Sequence, residues 1–164
     1  MKQGLKGVYL HLIQKLNQLT DKIEYGTKPA LIKLWEKSVE VDVSLPDMTT
    51  REVEKIANYL ARDLKVVSEY GLAAEEGIKA YWQRDSDYMT YKLLNILSKV
   101  EDPTTIEWHK LGLGAQDEPM VFTAGELTAL NALQCEHCKK IQHFNQISEI
   151  PVCQCGHRYY LAVK

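Results

Sequence analysis

Apolar residues up to position 100 recur in steps of three and four, the spacing that lines one face of an α-helix. Leu5, Val8, Leu12, Leu16, Leu19 and Ile23 trace such a stripe and predict a helix over residues 2–25. Gly26 supplies a stop, and Pro29 suits the first turn of a second helix over 29–41 that buries Leu31, Leu34, Trp35 and Val39. Residues 42–47, with Pro46, read as a connection. Thr49 or Thr50 then caps a third helix, with Glu52 in the capping-box position after Thr49. Val53, Ile56, Leu60, Leu64 and Val67 form its apolar stripe, and Glu52, Glu54, Lys55, Arg62, Asp63 and Lys65 occupy the rest of its circumference. It runs to about Tyr70, before Gly71 and Gly77 weaken the pattern.

Asp85 or Asp87 caps a further helix through Leu94 and Leu97 to about Val100, ended by Asp102 and Pro103. These elements predict an antiparallel helical bundle or coiled-coil-like helices. The stripes nearly keep a coiled-coil period, so a homodimer through the helices would use the same residues as packing within one chain. Beyond Pro103 the period shortens. Ile106 and Trp108 alternate with Glu107 and His109, which predicts a strand over 105–110. Gly112, Gly114, Pro119 and Gly125 break the chain beyond it into short pieces, with further strands expected at 132–135, 141–144, 147–152 and 158–163. The fold class is therefore α+β, with a helical domain over 1–103 and a small β ribbon over 104–164.

Charge sharpens this division. The 164 residues carry a formal net charge of −2, too small for partners held by bulk charge alone. Residues 101–130 carry six acids against one lysine and separate a balanced N-terminal part from a slightly basic end. The apolar stretch near the N-terminus is interrupted by His11, Gln14 and Lys15, which excludes a signal-peptide core or a membrane span there. A cytoplasmic setting, where thiols stay reduced, is the expectation.

All four cysteines fall near the C-terminus as Cys135-x-x-Cys138, fourteen intervening residues, then Cys153-x-Cys155-Gly156-His157. Two close pairs joined by a hairpin are what a tetrahedral Zn²⁺ site requires, and thiolates suit zinc better than iron here. Gly156 tolerates the positive φ that a metal knuckle needs after its last cysteine. The second pair encloses only Gln154, where two residues are usual. That leaves three outcomes open: four cysteine ligands in a tight knuckle, replacement of one by His157, or a weakened site. A four-thiolate site is closed, so the zinc is structural and not catalytic.

Other features point less far. His137, His143 and His157 surround the cysteines and are expected mainly to face solvent or orient loops. Lys139, Lys140, Arg158 and Lys164, with Phe144, Tyr159 and Tyr160, suggest a surface for single-stranded nucleic acid. Four thiolates around one Zn²⁺ add −2 and cancel that local charge, and Phe144 and Tyr159 are also candidates for the ribbon core. Tyr81, Trp82, Tyr88 and Tyr91 form an aromatic cluster beside Arg84, suited to helix packing or to a partner. No carboxylate pair, nucleophile elbow or phosphate-binding glycine loop appears.

Several short motifs together resemble the bacterial YbeL-like zinc-ribbon proteins, a family of unknown function. They are Thr105-Ile106-Glu107-Trp108, Val121-Phe122-Thr123-Ala124-Gly125-Glu126-Leu127, Leu133-Gln134-Cys135-Glu136-His137-Cys138 and Cys155-Gly156-His157. The helical half agrees only in length and amphipathic character. The resemblance implies zinc on Cys135, Cys138, Cys153 and Cys155 and a bacterial cytosolic setting, and it implies no activity. The single residue between Cys153 and Cys155 departs from the family pattern.

These observations favour a non-enzymatic zinc-ribbon protein that acts as an adaptor or regulatory module through protein contacts, without membrane contact. The alternative is a regulator whose ribbon touches DNA, RNA or the transcription machinery. A thiol redox or metal sensor is the third class, and it requires a labile ion and a reactive cysteine.

Overall fold

A computed structural model of the chain describes residues 2–22, 28–39, 50–70, 88–101, 106–111, 113 and 120–163. Four helices, α1 (Lys2–Asp21), α2 (Leu31–Val39), α3 (Thr50–Tyr70) and α4 (Tyr88–Ser98), come first. A 3₁₀ turn, Trp108–Leu111, leads to six strands: β1 (Val121–Thr123), β2 (Leu127–Thr128), β3 (Ala132–Cys135), β4 (Ile141–His143), β5 (Ser148–Glu149) and β6 (Tyr159–Ala162). The class is α+β, as the change of period predicts. Thr49, Asp85, Asp87 and Pro103 lie outside the described residues, as do the side chains of Tyr81, Trp82, Tyr88 and Tyr91.

The helices form where the stripes place them. Val53, Ile56, Leu60, Leu64 and Val67 are all buried on α3, as are Val8, Leu12 and Leu16 on α1. The stripes face one another within the chain: α1 packs on α2, α3 and α4, and α3 packs on α4. Tyr9 and Ile13 on α1, with Leu93 and Ile96 on α4, widen those faces. Helix α2 begins later than predicted. Pro29 lies outside it and accepts the Glu101 amide (3.0 Å), while a Glu101 carboxylate oxygen accepts the Leu31 amide (3.1 Å). A side chain from after α4 thus caps the start of α2.

Helix α3 departs from simple amphipathicity. Its first half is two-faced, but every residue from Leu60 to Ser68 is buried. Arg62, Asp63 and Lys65, off the apolar stripe, are covered because β2 and the 3₁₀ turn also pack on α3. The expected strand over 105–110 is not formed. Lys110 donates to the Glu107 carbonyl (2.9 Å), closing a turn that buries Ile106, Trp108 and Leu111 against the helices. Alternating apolar residues reach the core here without a neighbouring strand.

The strands make two antiparallel sheets, one in the order β1-β6-β3-β4 and one of β2 with β5. The expected strand over 147–152 shrinks to β5: pairing with the β2 side runs one step further, where the Ile150 amide donates to the Glu126 carbonyl (2.8 Å), and ends at the Gly125 turn and at Pro151, which has no amide proton. Strands β1 and β2 have no counterpart among the predicted strands. They are short, and the turn at Gly125, with φ of 99°, separates them. Cross-strand register places Phe122, Tyr160 and Cys135 in one row on the inner face of the large sheet. All three are buried and join the helical residues in one apolar cluster. Tyr160 therefore fills the core place suggested for Tyr159, which is 46% exposed; Phe144 packs at the cluster's margin.

Candidate metal centre

The first cysteine pair sits in the turn at the end of β3, and the second in a turn between β5 and β6. In the first, the Cys135 amide donates to Lys140 (2.9 Å) and the Lys139 amide donates back to Cys135 (3.1 Å). In the second, the Cys153 amide donates to His157 (3.0 Å) and the Gly156 amide donates back to Cys153 (2.8 Å). Every bond of the second turn spans one residue fewer than its equivalent in the first. The backbone is left-handed directly after the second cysteine of each pair, at Lys139 (φ 64°) and Gly156 (φ 88°). The missing residue is thus absorbed inside the turn, and the exit stays the same.

The two turns bring the sulfurs together. The four Sγ atoms of Cys135, Cys138, Cys153 and Cys155 all lie within 4.8 Å of one another. The Cys135 and Cys155 sulfurs are 3.7 Å apart, and those of Cys138 and Cys153 are 3.6 Å apart. A tetrahedron with Zn–S bonds of about 2.3 Å has edges of about 3.8 Å, so the spacing suits zinc. All four cysteines are free thiols. This cluster is built for one structural zinc ion. His157 points elsewhere: its Nε2 lies 3.5 Å from Glu136, and its ring stacks on His137 at 5.5 Å between centroids.

As bare thiols Cys135 and Cys155 are unequal. Burial opposes ionisation of Cys135, yet the Cys138 and His137 amides and the Cys153 and Cys138 sulfurs bring its pKa down to about 6. Cys155 receives the His157 amide, which lowers its pKa, but burial and the other three sulfurs push it up to about 11. The longer first turn thus turns two amides onto one sulfur, and the shorter second turn turns one.

The cluster is anchored at both ends. Lys140 Nζ donates to the side-chain oxygen of Gln154 (2.6 Å), tying one turn to the other. Tyr160 donates its hydroxyl proton to the Pro151 carbonyl (2.8 Å), just ahead of Cys153. Burial, then the nearby Cys153 and Cys135 sulfurs, push the Tyr160 pKa up to about 12.

Further in, α3 holds the ribbon through a buried polar network that no motif of the sequence announces. Asp63 accepts bonds from the Tyr9 hydroxyl, the Ala129 amide (2.8 Å) and the Thr128 hydroxyl (3.2 Å). Arg62 pairs with Glu126, donates to the Leu127 carbonyl (2.9 Å), and lies 4.0 Å from the centre of the Phe122 ring. Helix α3 thereby fixes both sides of the Gly125 turn. The one hint in the chain is a pair of small or apolar residues, Ala61 and Val66, outside the stripe.

A family model described as "Zinc-ribbon containing domain" matches residues 13–161. The chain belongs to this zinc-ribbon family, and the matched region takes in most of the helices as well as all four cysteines. Comparison with curated proteins and with solved structures returns no match. Among the described residues, no helix is long and apolar enough to cross a membrane.

Proposed function

We propose that this protein is a non-enzymatic adaptor or regulatory module that acts through a protein partner, with Cys135, Cys138, Cys153 and Cys155 holding its structural zinc. One observation carries the reading: the closed sulfur cluster braces a sheet whose outer face exposes the apolar side chains of Val121 and Ile141 and the ring of Tyr159. Register sets Val121, Leu161, Gln134 and Ile141 in one row across all four strands. Val121 is 43% and Ile141 40% exposed. Apolar side chains held open on a rigid sheet favour contact with another protein. The YbeL-like branch of the family and a bacterial cytoplasmic setting belong to the same proposal.

A second reading, a regulator that touches nucleic acid, draws on the rings of His137, His157 and Tyr159. The His157 and Tyr159 rings meet edge to face at 5.6 Å, close in sequence to Lys139 and Lys140 at the turns. Purification from the native host, with metal analysis of the same sample, separates the two. One zinc per chain and a protein partner retained at high salt support the adaptor. Bound nucleic acid released steeply by salt supports the second reading and overturns the first. Sedimentation of the purified chain tests pairing of two copies through the helices.

A further inference from the structure

The large sheet ends at β4, and the backbone of this strand carries a specific signal. Antiparallel strands alternate between residues whose amide and carbonyl face the neighbour and residues whose groups face away. The Cys135 amide bonds Lys140 (2.9 Å), and the Phe144 amide bonds Asn131 (2.8 Å). With Leu133 opposite Gln142, these pairs place Lys140, Gln142 and Phe144 inward. The amides and carbonyls of Ile141 and His143 therefore face outward. Among the described residues nothing pairs with them, and all three residues of β4 are exposed.

An open edge is a template for another strand, and proteins commonly block it with proline, a bulge or a covering segment. Residues 139–144 contain no proline, and β4 pairs with β3 without interruption. Ile141 also ends the cross-strand row Val121, Leu161, Gln134, Ile141, whose two end residues are apolar and exposed. A strand added at this edge would place its own residue opposite Ile141 on the same face and lengthen that row.

We propose that β4 is the docking edge for an extended segment of a partner protein, apolar opposite Ile141 and acidic opposite Lys139 and Lys140. Charge selects the occupant. Residues 137–148 hold two lysines and two histidines and no carboxylate. The zinc thiolates offset this charge overall, but two copies paired at β4 would still bring exposed lysine and histidine side chains of the same kind together, which a segment bearing a carboxylate avoids. Main-chain bonds to Ile141 and His143 supply affinity, and the alternating side chains supply specificity. The inference rests on the adaptor reading and names its contact.

The test uses the zinc-loaded full chain and a displayed library of short random peptides, with the selected peptides resynthesised. Expected are peptides that alternate β-branched residues and carry a carboxylate, and that slow hydrogen exchange at the Ile141 and His143 amides. Ile141→Pro and His143→Pro each remove an outward amide and leave the inward ladder in place. Each should weaken binding about tenfold or more. Should either variant fold poorly, N-methylation of the peptide at alternate residues makes the same test on the other partner. The proposal is overturned by a library without binders, by binding indifferent to these changes, or by self-pairing of β4 in sedimentation. A partner that co-purifies from the host yet ignores both proline variants defeats the edge alone; absence of any protein partner defeats the adaptor reading.

Discussion

Cys135 and Tyr160 lie directly opposite each other in the β3–β6 ladder, both buried on the inner face of the sheet. The Tyr160 hydroxyl reaches the Pro151 carbonyl (2.8 Å), so one side chain of β6, beside the strand of the first knuckle, holds the approach of the second. Tyr160→Phe keeps the ring and strands that carbonyl. A loss of about 1 kcal/mol in urea unfolding is expected, with faster zinc transfer to a chelator. An unchanged transfer rate would show that the hydroxyl does not hold the second knuckle.

Asp63 accepts from three donors in a site without water access. Asp63→Ala leaves the Tyr9 hydroxyl, the Ala129 amide and the Thr128 hydroxyl without their buried acceptor and removes the carboxylate that lies 3.7 Å from Arg62, and about 3–5 kcal/mol of stability should be lost. A loss below about 1 kcal/mol, measured by denaturant unfolding, would contradict the network.

The same carboxylate sets a pH dependence. Burial raises the Asp63 pKa, against the pull of Arg62 and of its hydrogen-bond donors. A raised folded-state pKa means that the folded protein binds the proton more tightly than the unfolded chain. Its contribution to stability is therefore largest at low pH and declines as pH rises from the ordinary carboxylate value through the raised one. Asp63→Asn should flatten that part of the stability–pH profile.

The left-handed exits of the knuckles predict opposite responses. Gly156→Ala forces a side chain into φ of 88° and should cost about 1–2 kcal/mol. Lys139→Gly relieves the equivalent strain and should stabilise by up to about 1 kcal/mol, less the bond from Lys139 Nζ to the Glu136 carbonyl. Thermal unfolding of the zinc-loaded variants measures both.

Removing zinc with a chelator should abolish exchange protection across residues 135–140 and 153–157. The Ala129 amide, held by Asp63, should keep its protection, and far-ultraviolet circular dichroism should retain most of the helical signal. Zinc must also displace protons. With Cys135 near 6 and Cys155 near 11 as bare thiols, zinc at pH 7 displaces a proton from Cys155 and little from Cys135. Affinity should rise with pH above neutrality, and calorimetry in buffers of different ionisation enthalpy measures the release.

Much of this centre is legible in the chain. Cysteine spacing names the four sulfurs, and Gly156 marks the left-handed exit of its knuckle. The equivalent exit at Lys139 is not legible, because lysine has no preference for that conformation and adopts it only inside the closed turn. The short second pair leaves room for His157 to replace a cysteine. Folding instead shortens the turn by one residue, and His157 goes to Glu136 and His137.

By itself the sequence determined the helices, through periodic apolar stripes, and the candidate zinc ligands Cys135, Cys138, Cys153 and Cys155, through local spacing that needs no distant partner but leaves His157 as a substitute. Only the tertiary structure decided the environment of Arg62 and Asp63. On an isolated helix these positions face water, and they are buried because the ribbon packs on the second face of α3. Strand partners are likewise invisible to local pattern: Ile106 and Trp108 alternate as a strand does, yet lead into a 3₁₀ turn, and among the described residues no strand pairs with them. The same dependence on partners leaves β4 as an edge of the sheet with outward-facing backbone groups.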